Sequence, residues 1–182
     1  MKTLIINGSP HKNGDTISLI KQLTKQLNGE HKIVNTYYAN ISACNDCRYC
    51  WNNDGCSVKD EMIELYNYIE NCDNVVIASP IYFSQPTGKL LAVCSRFQTY
   101  FASKHFRNQT PPLKPKKGAV ILVGGGDGNA DDAYKTACTL LHHINVTKIH
   151  PLVGSFYTNE LSSDKDKFAI KGIENIATFF NT

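Results

Sequence analysis

Short, nearly charge-free apolar runs alternate with amphipathic stretches along the chain, and few folds admit that pattern. Residues 2–7 read KTLIIN and stop at Gly8-Ser9-Pro10. Residues 74–79 read NVVIAS and stop at Pro80, and residues 117–123 run into Gly124-Gly125-Gly126. Runs this short, β-branched and bounded by Gly or Pro, read as buried strands. Residues 32–38 and, more weakly, 147–156 read the same way. Between them, apolar residues recur at helical spacing: Ile17, Ile20, Leu23 and Leu27 in 16–28, Met62, Leu65, Tyr66 and Ile69 in 59–71, and Leu90, Cys94, Phe97 and Phe101 in 87–103. Residues 130–145 and 164–180 complete the set. Strands that alternate with helices make parallel crossovers. The expected fold is α/β, a doubly wound five-stranded parallel sheet in a single three-layer domain over residues 1–182.

The chain has 182 residues, 42% hydrophobic and 19% charged, which suits a globular core and argues against disorder. A net charge of +3 is too small for a dedicated nucleic-acid or anionic-membrane binder. Its apolar runs fall well short of the ~20 residues a membrane helix needs. The N-terminal run is broken by Asn7-Gly8 and is not a signal peptide. A cytoplasmic protein with reduced cysteines is expected, and seven cysteines cannot all pair within one chain.

Ligands of open α/β sheets bind beyond the carboxyl ends of the strands. Three loops lie there. The first, residues 7–16 (NGSPHKNGDT), carries Gly and hydroxyl groups into a helix N-terminus, a natural phosphate site. Ser9, Asn13 and Thr16 can add donors; alternatively Asp15 or Thr16 simply caps the helix. The loop lacks the Gly-Lys-Ser/Thr of a Walker A motif and fails GxGxxG, so a phosphate monoester fits better than ATP or a dinucleotide. The second, residues 79–87, sets Tyr82 and Phe83 at a strand end, where they either face a planar ring or pack in the core. In the third, Gly124, Gly125, Gly126 and Gly128 let backbone approach a ligand closely. Asp127, Asn129 and Asp131 brush an EF-hand pattern, but Asp132 and Cys138 stand where that loop needs Gly and Glu.

Together these loops offer a phosphate cradle, an aromatic wall and a glycine-lined wall. With Gly8-Ser9-Pro10, Gly14-Asp15-Thr16, Ser79-Pro80-Ile81-Tyr82, Lys89, Arg96 and the Gly124 turn in order, the chain resembles flavodoxin-like NAD(P)H-dependent FMN reductases. The resemblance implies a 2-1-3-4-5 sheet and FMN on Ser9, His11, Asn13, Thr16, Ile17, Pro80, Ile81, Tyr82, Phe83, Gly124, Gly125, Gly126 and Asp127. It also implies NAD(P)H as co-substrate, a small-molecule acceptor such as a quinone or flavin, and a homodimer or homotetramer. Backbone N–H groups near Ile81 and Phe83 are expected at flavin N5, and those of the glycine loop near N1 and O2. No side chain is expected to act as a catalytic acid or base, since the flavin carries the chemistry. Asp15 departs from the family's usual Asn, and its charge opposes a phosphate unless it turns away. Ser95 and Asn45-Asp46 depart too.

Residues 40–57 hold Cys44, Cys47, Cys50 and Cys56 at x2, x2, x5 spacing. Such thiolates can wrap a [4Fe–4S] cubane. The segment resembles the iron–sulfur flavoprotein branch of the family, in which a cluster sits beside FMN and serves ferredoxin-linked electron transfer. Redox-active or empty thiols, and less readily zinc, are the other readings. Cys72, Cys94 and Cys138 lie on apolar helical faces and read as core. His142, His143 and His150 lack metal-ligand spacing, and Lys114, Lys116 and Lys117 read as solvated. A phospho-receiver domain would need acidic residues where Asn7-Gly8-Ser9 and Ser79-Pro80 stand. A zinc-stabilised nucleic-acid binder conflicts with the charge and the cysteine spacing.

Overall fold

A computed structural model describes residues 1–182. The chain begins β1 (Lys2–Asn7), α1 (Asp15–Thr24), β2 (Glu30–Asn35), a short α2 (Tyr49–Asn52) and α3 (Met62–Asn71). There follow β3 (Asn74–Tyr82), β4 (Gln85–Pro86), α4 (Gly88–Cys94), a 3-10 turn (Ser95–Phe97) and α5 (Gln98–His105). The last part comprises β5 (Lys116–Val123), α6 (Asp131–His143), β6 (Val146–Ile149), β7 (Val153–Ser155) and α7 (Lys167–Asn181). The parallel strands lie in the order β2-β1-β3-β5-β6, with β7 beside β5 and β4 returning antiparallel on β3. This is the expected flavodoxin-like doubly wound sheet.

Alternate residues of each central strand point to opposite faces. Ile5, Val76, Ala119 and Ile121 pack with Leu19, Leu23, Ile173 and Phe180 of α1 and α7. Leu4, Ile6, Val75, Ile77 and Val120 pack with Leu65, Ile69, Leu90, Val93 and Leu141 of α3, α4 and α6. Two apolar layers thus clamp one sheet, each fully buried Leu or Ile contributing about 1.5–3 kcal/mol. No helix is long and apolar enough to cross a membrane.

Three expectations are corrected. The stretch 147–156 is two strands: β6 pairs with the start of β5 and β7 with its end. Pro151, between them, has no N–H for the ladder. The helix expected over 87–103 breaks at Ser95–Phe97. There the Ser95 hydroxyl donates back to the Ala92 carbonyl (2.6 Å), and the Tyr66 hydroxyl donates to the Arg96 carbonyl (2.9 Å). Lys116 is not solvated: it is buried, its Nζ donates to the Lys114 carbonyl (2.7 Å), and burial holds its ammonium below the ordinary lysine pKa. Lys117 likewise turns inward, donating to the Phe179 carbonyl (2.9 Å).

Candidate functional site

The ends of β1, β3 and β5 are level, with Asn7 opposite Ala78 and Pro80 opposite Val123, so their loops meet at one edge. Gly8 joins the first two. Its N–H donates to the Ala78 carbonyl (2.8 Å), and its carbonyl accepts from the Thr87 hydroxyl (2.8 Å). A Cβ on Gly8 would stand 2.8 Å from a Leu90 methyl and 2.9 Å from the Ser79 and Thr87 hydroxyls, so glycine is required by space.

Asn7 Oδ1 accepts from the Ser9 N–H (2.9 Å), and Ser9 Oγ from the His11 N–H (3.2 Å). Beyond this turn, the backbone N–H groups of residues 12–17 have no acceptor within the chain. The N-cap of α1 is Gly14, which supplies no side-chain cap. Thr16 is buried with its hydroxyl unpartnered, and Asn7 Nδ2 is buried without an acceptor. Free N–H donors at the positive end of a helix dipole bind an anion. Asp15 does not oppose it: its carboxylate accepts from the Ser163 N–H (2.7 Å) and the Ser162 hydroxyl (3.2 Å). It therefore faces the β7–α7 connection and does not cap its own helix. Tyr38 fixes the outer wall, its hydroxyl donating to the Pro10 carbonyl (2.5 Å) beneath Lys12 Nζ, 5.1 Å from the ring. His11 and Asn13 are exposed and Ile17 half-buried at the same turn.

Pro80 and Ile81 lie half-buried in the end of β3, which turns back on itself through Phe83 and Ser84, at φ 52° and 60°. Two successive positive φ values make the primed turn that matches hairpin twist, normally built from Asn-Gly. A phenylalanine there is an outlier. Tyr82 is exposed and Phe83 wholly so. The Asn129 amide donates to the Ser84 hydroxyl (2.9 Å), tying this hairpin to the glycine loop. Gly128, at φ 83°, lies flat against the Phe156 ring, leaving no room for a side chain. The N–H groups of Gly125, Gly126 and Asp127 have no acceptor. The loop edge thus combines two runs of free donors with an exposed aromatic hairpin.

The cysteine loop lies beside it, after β2. All four thiols are free, and Cys44, Cys47, Cys50 and Cys56 line one cavity of about 410 Å³ with Trp51, Phe101, Phe106, Ser95 and Arg96. Trp51 stacks on Phe106 with centroids 4.1 Å apart. No three His, Cys, Asp or Glu side chains converge closely enough to hold a single metal ion. The four thiols line a shared space and do not converge on one point. The Ser57 hydroxyl lowers the Cys47 thiol pKa at 3.1 Å, and burial raises that of Cys50.

Residues distant in sequence hold this loop. Ser95 Oγ accepts from the Cys44 N–H (2.9 Å), and the Thr99 hydroxyl donates to the Gly55 carbonyl (3.0 Å). Arg107 donates to the Cys50 carbonyl and to Asp54. Arg96 donates to the Ser42 carbonyl (3.1 Å), the Val58 carbonyl (3.1 Å) and the Asp60 carboxylate (2.9 Å). Sequence reasoning missed Asp60, Thr99 and Arg107; the one signal was two charged or polar residues, Ser95-Arg96, inside an apolar stripe. A larger cavity, about 700 Å³, is not at the loop edge: it lies between α3 and α5 and shares Cys56, Val58 and Thr99 with the cysteine cavity.

The chain is similar to iron–sulfur flavoproteins and to a flavin-binding protein of known structure. An iron–sulfur flavoprotein of Archaeoglobus fulgidus is 30% identical over 135 residues, 72% of this chain and 58% of that protein. One of Methanosarcina thermophila is 29% identical over 128 residues, 69% of this chain and 64% of that protein. This chain therefore spans less than two thirds of the length of either relative. RosB, solved with a bound formylated riboflavin-5'-phosphate derivative, superposes with a TM-score of 0.77 at 20% identity, covering 98% of this chain and 76% of that one, a likeness of fold. Residues 1–158, which contain all three edge loops and the cysteine segment, match the description NADPH-dependent FMN reductase, and the chain belongs to that family.

Proposed function

We propose that the chain binds FMN across the three edge loops and passes hydride equivalents from NAD(P)H to a small-molecule acceptor such as a quinone or free flavin. The observation that carries this is the run of acceptor-free N–H groups over residues 12–17, beside the unpartnered Thr16 hydroxyl. Backbone donors in a row at a helix start suit a dianionic phosphate monoester. The flavin, when bound, supplies the hydride-accepting ring. The protein's part is binding and electrostatics. Ser9, Asn13 and Thr16 hold the phosphate, with His11 and Ile17 at its rim. Tyr82 and Phe83 flank the ring, with Pro80 and Ile81 beneath. The free N–H groups of Gly125, Gly126 and Asp127 would stabilise negative charge that develops on the flavin on reduction. A second copy covering the exposed hairpin completes this reading. The test is anaerobic: purified protein is titrated with FMN, then with NADPH. Quenched flavin fluorescence at one FMN per chain, followed by bleaching, is expected; a protein that takes up no FMN overturns the reading.

A second reading rests on the cysteine cavity. Four thiols around one aromatic-walled space of about 410 Å³ suit a [4Fe–4S] cluster on Cys44, Cys47, Cys50 and Cys56. The chain would then exchange single electrons with a ferredoxin-like partner. Near-stoichiometric iron and sulfide in anaerobically purified protein, abolished by Cys47→Ala with FMN retained, is the expected result. Equal traces of iron in both proteins overturn it.

A further inference from the structure

From Ser42 to Glu61 no residue is fully buried. The segment that carries the four cysteines sinks no side chain into the core; apart from the stack of half-buried Trp51 on Phe106, polar contacts hold it. Most of these grip one point each. Arg96 differs: one guanidinium binds the Ser42 carbonyl at the start of the segment and the Val58 carbonyl and Asp60 carboxylate at its end. Arg96 is 1% exposed, although arginine is among the costliest residues to bury. The backbone of α4 and the 3-10 turn places it there, and the Tyr66 hydroxyl holds its carbonyl (2.9 Å). Its Nε, which carries one of the two N–H groups left over, is buried with no acceptor, and Arg96 lines the cavity that the four thiols line. A core filled only for stability would not leave an orphaned donor, which costs about 1–3 kcal/mol. A buried donor with no acceptor in the chain calls for a specific use.

We propose that Arg96 is a positioning residue for the cysteine cavity. Its fork clips both ends of the segment together, so that the four thiols face one space before anything enters it. Its free Nε–H is held for a sulfur acceptor drawn to the cavity wall on loading. The clip stands on the hydrogen bonds alone; the Nε role rests on the iron–sulfur reading. A donor to sulfur stabilises the more negatively charged, reduced state, so it raises the reduction potential of what is bound.

Arg96→Lys keeps the charge but cannot span three acceptors at once. In the metal-free full chain, trypsin should cut the variant after Arg48 or Lys59 severalfold faster than the wild type, while FMN affinity, which reports intact folding, is unchanged. After anaerobic reconstitution with iron and sulfide, the variant should load about 10–100-fold more weakly, the usual effect of losing an outer-shell partner. What it does load should have a lower potential. Should Arg96→Lys not fold, Asp60→Asn removes the guanidinium's anchor and leaves its carbonyl bonds. Equal cleavage rates overturn the clip. Equal potentials in loaded proteins overturn the Nε donor even if cleavage differs. A wild type that loads no iron overturns the iron–sulfur reading and the Nε role together, while cleavage still decides the clip.

Discussion

The Asp60 carboxylate and the Arg96 guanidinium meet at 2.9 Å with their side chains 8% and 1% exposed. Burial would raise the Asp60 carboxyl, but the Ser42 N–H, Arg96 and the Met62 N–H outweigh it and hold its pKa below the ordinary value. Breaking such a pair strands a buried cation, so Asp60→Asn should destabilise the fold by about 3–5 kcal/mol. A folded pKa below the unfolded one gives stability that is complete above the ordinary carboxylate value of about 3.9 and fades as pH falls through the lowered folded value. The urea midpoint gap between wild type and variant should therefore be constant from neutral pH down to about 5 and shrink only in strong acid. A gap that vanishes near neutrality would mean another group titrates.

Thr16→Ala should weaken FMN binding by about 1.5–3 kcal/mol, the value of a hydrogen bond to a charged partner. Ser9→Ala should cost less, because Ser9 Oγ is already engaged by the His11 N–H. The ranking is as informative as the size. Fluorescence titration of both variants checks it, and equal affinity for Thr16→Ala and wild type removes Thr16 from the site.

Gly8→Ala tests the junction of the first two loops. The added methyl meets Leu90, Ser79 and Thr87 at once, two of which bond across the junction. Overpacking of this kind costs about 1–3 kcal/mol, and here the strain falls on the cradle itself. Both the melting temperature and FMN affinity should drop. A variant that melts lower yet binds FMN as before would show the cradle to be independent of β3.

Signals local in sequence were legible, and those that depend on distant contacts were not. The loop after β1 carries its candidate donors close together in sequence, Gly8, Gly14 and Thr16 within nine residues. The cysteine spacing likewise picked out four residues that line one cavity, while leaving cluster, free thiols and zinc open. What holds that loop was invisible: Arg96 meets Ser42 and Val58 across 54 and 38 residues. Asp15 shows the same limit, since its charge reads as a defect in the loop until Ser163, 148 residues on, takes it. Lys116 read as solvated because it stands just before a buried run, yet it opens β5, is buried and donates to the Lys114 carbonyl. The break at Ser95 is held by Tyr66, 30 residues away from Arg96 on another helix, which the periodicity of residues 87–103 does not contain.

Phe83 holds a conformation that its side chain disfavours, with φ at 52° and the ring wholly exposed. Exposed, it contributes no core packing to offset the strain, which for a non-glycine residue is about 1–3 kcal/mol. In the proposed site, this exposed ring would serve as part of the flavin's aromatic wall. Phe83→Gly should therefore stabilise the fold while weakening the aromatic wall, raising the melting temperature and lowering NADPH-driven flavin reduction. Phe83→Leu, which keeps the strain and loses the aromatic face, should lower turnover with little change in stability. If both variants reduce flavin as fast as wild type, the ring has no part in the site, and the hairpin is shaped by its turn and its bond to Asn129 alone.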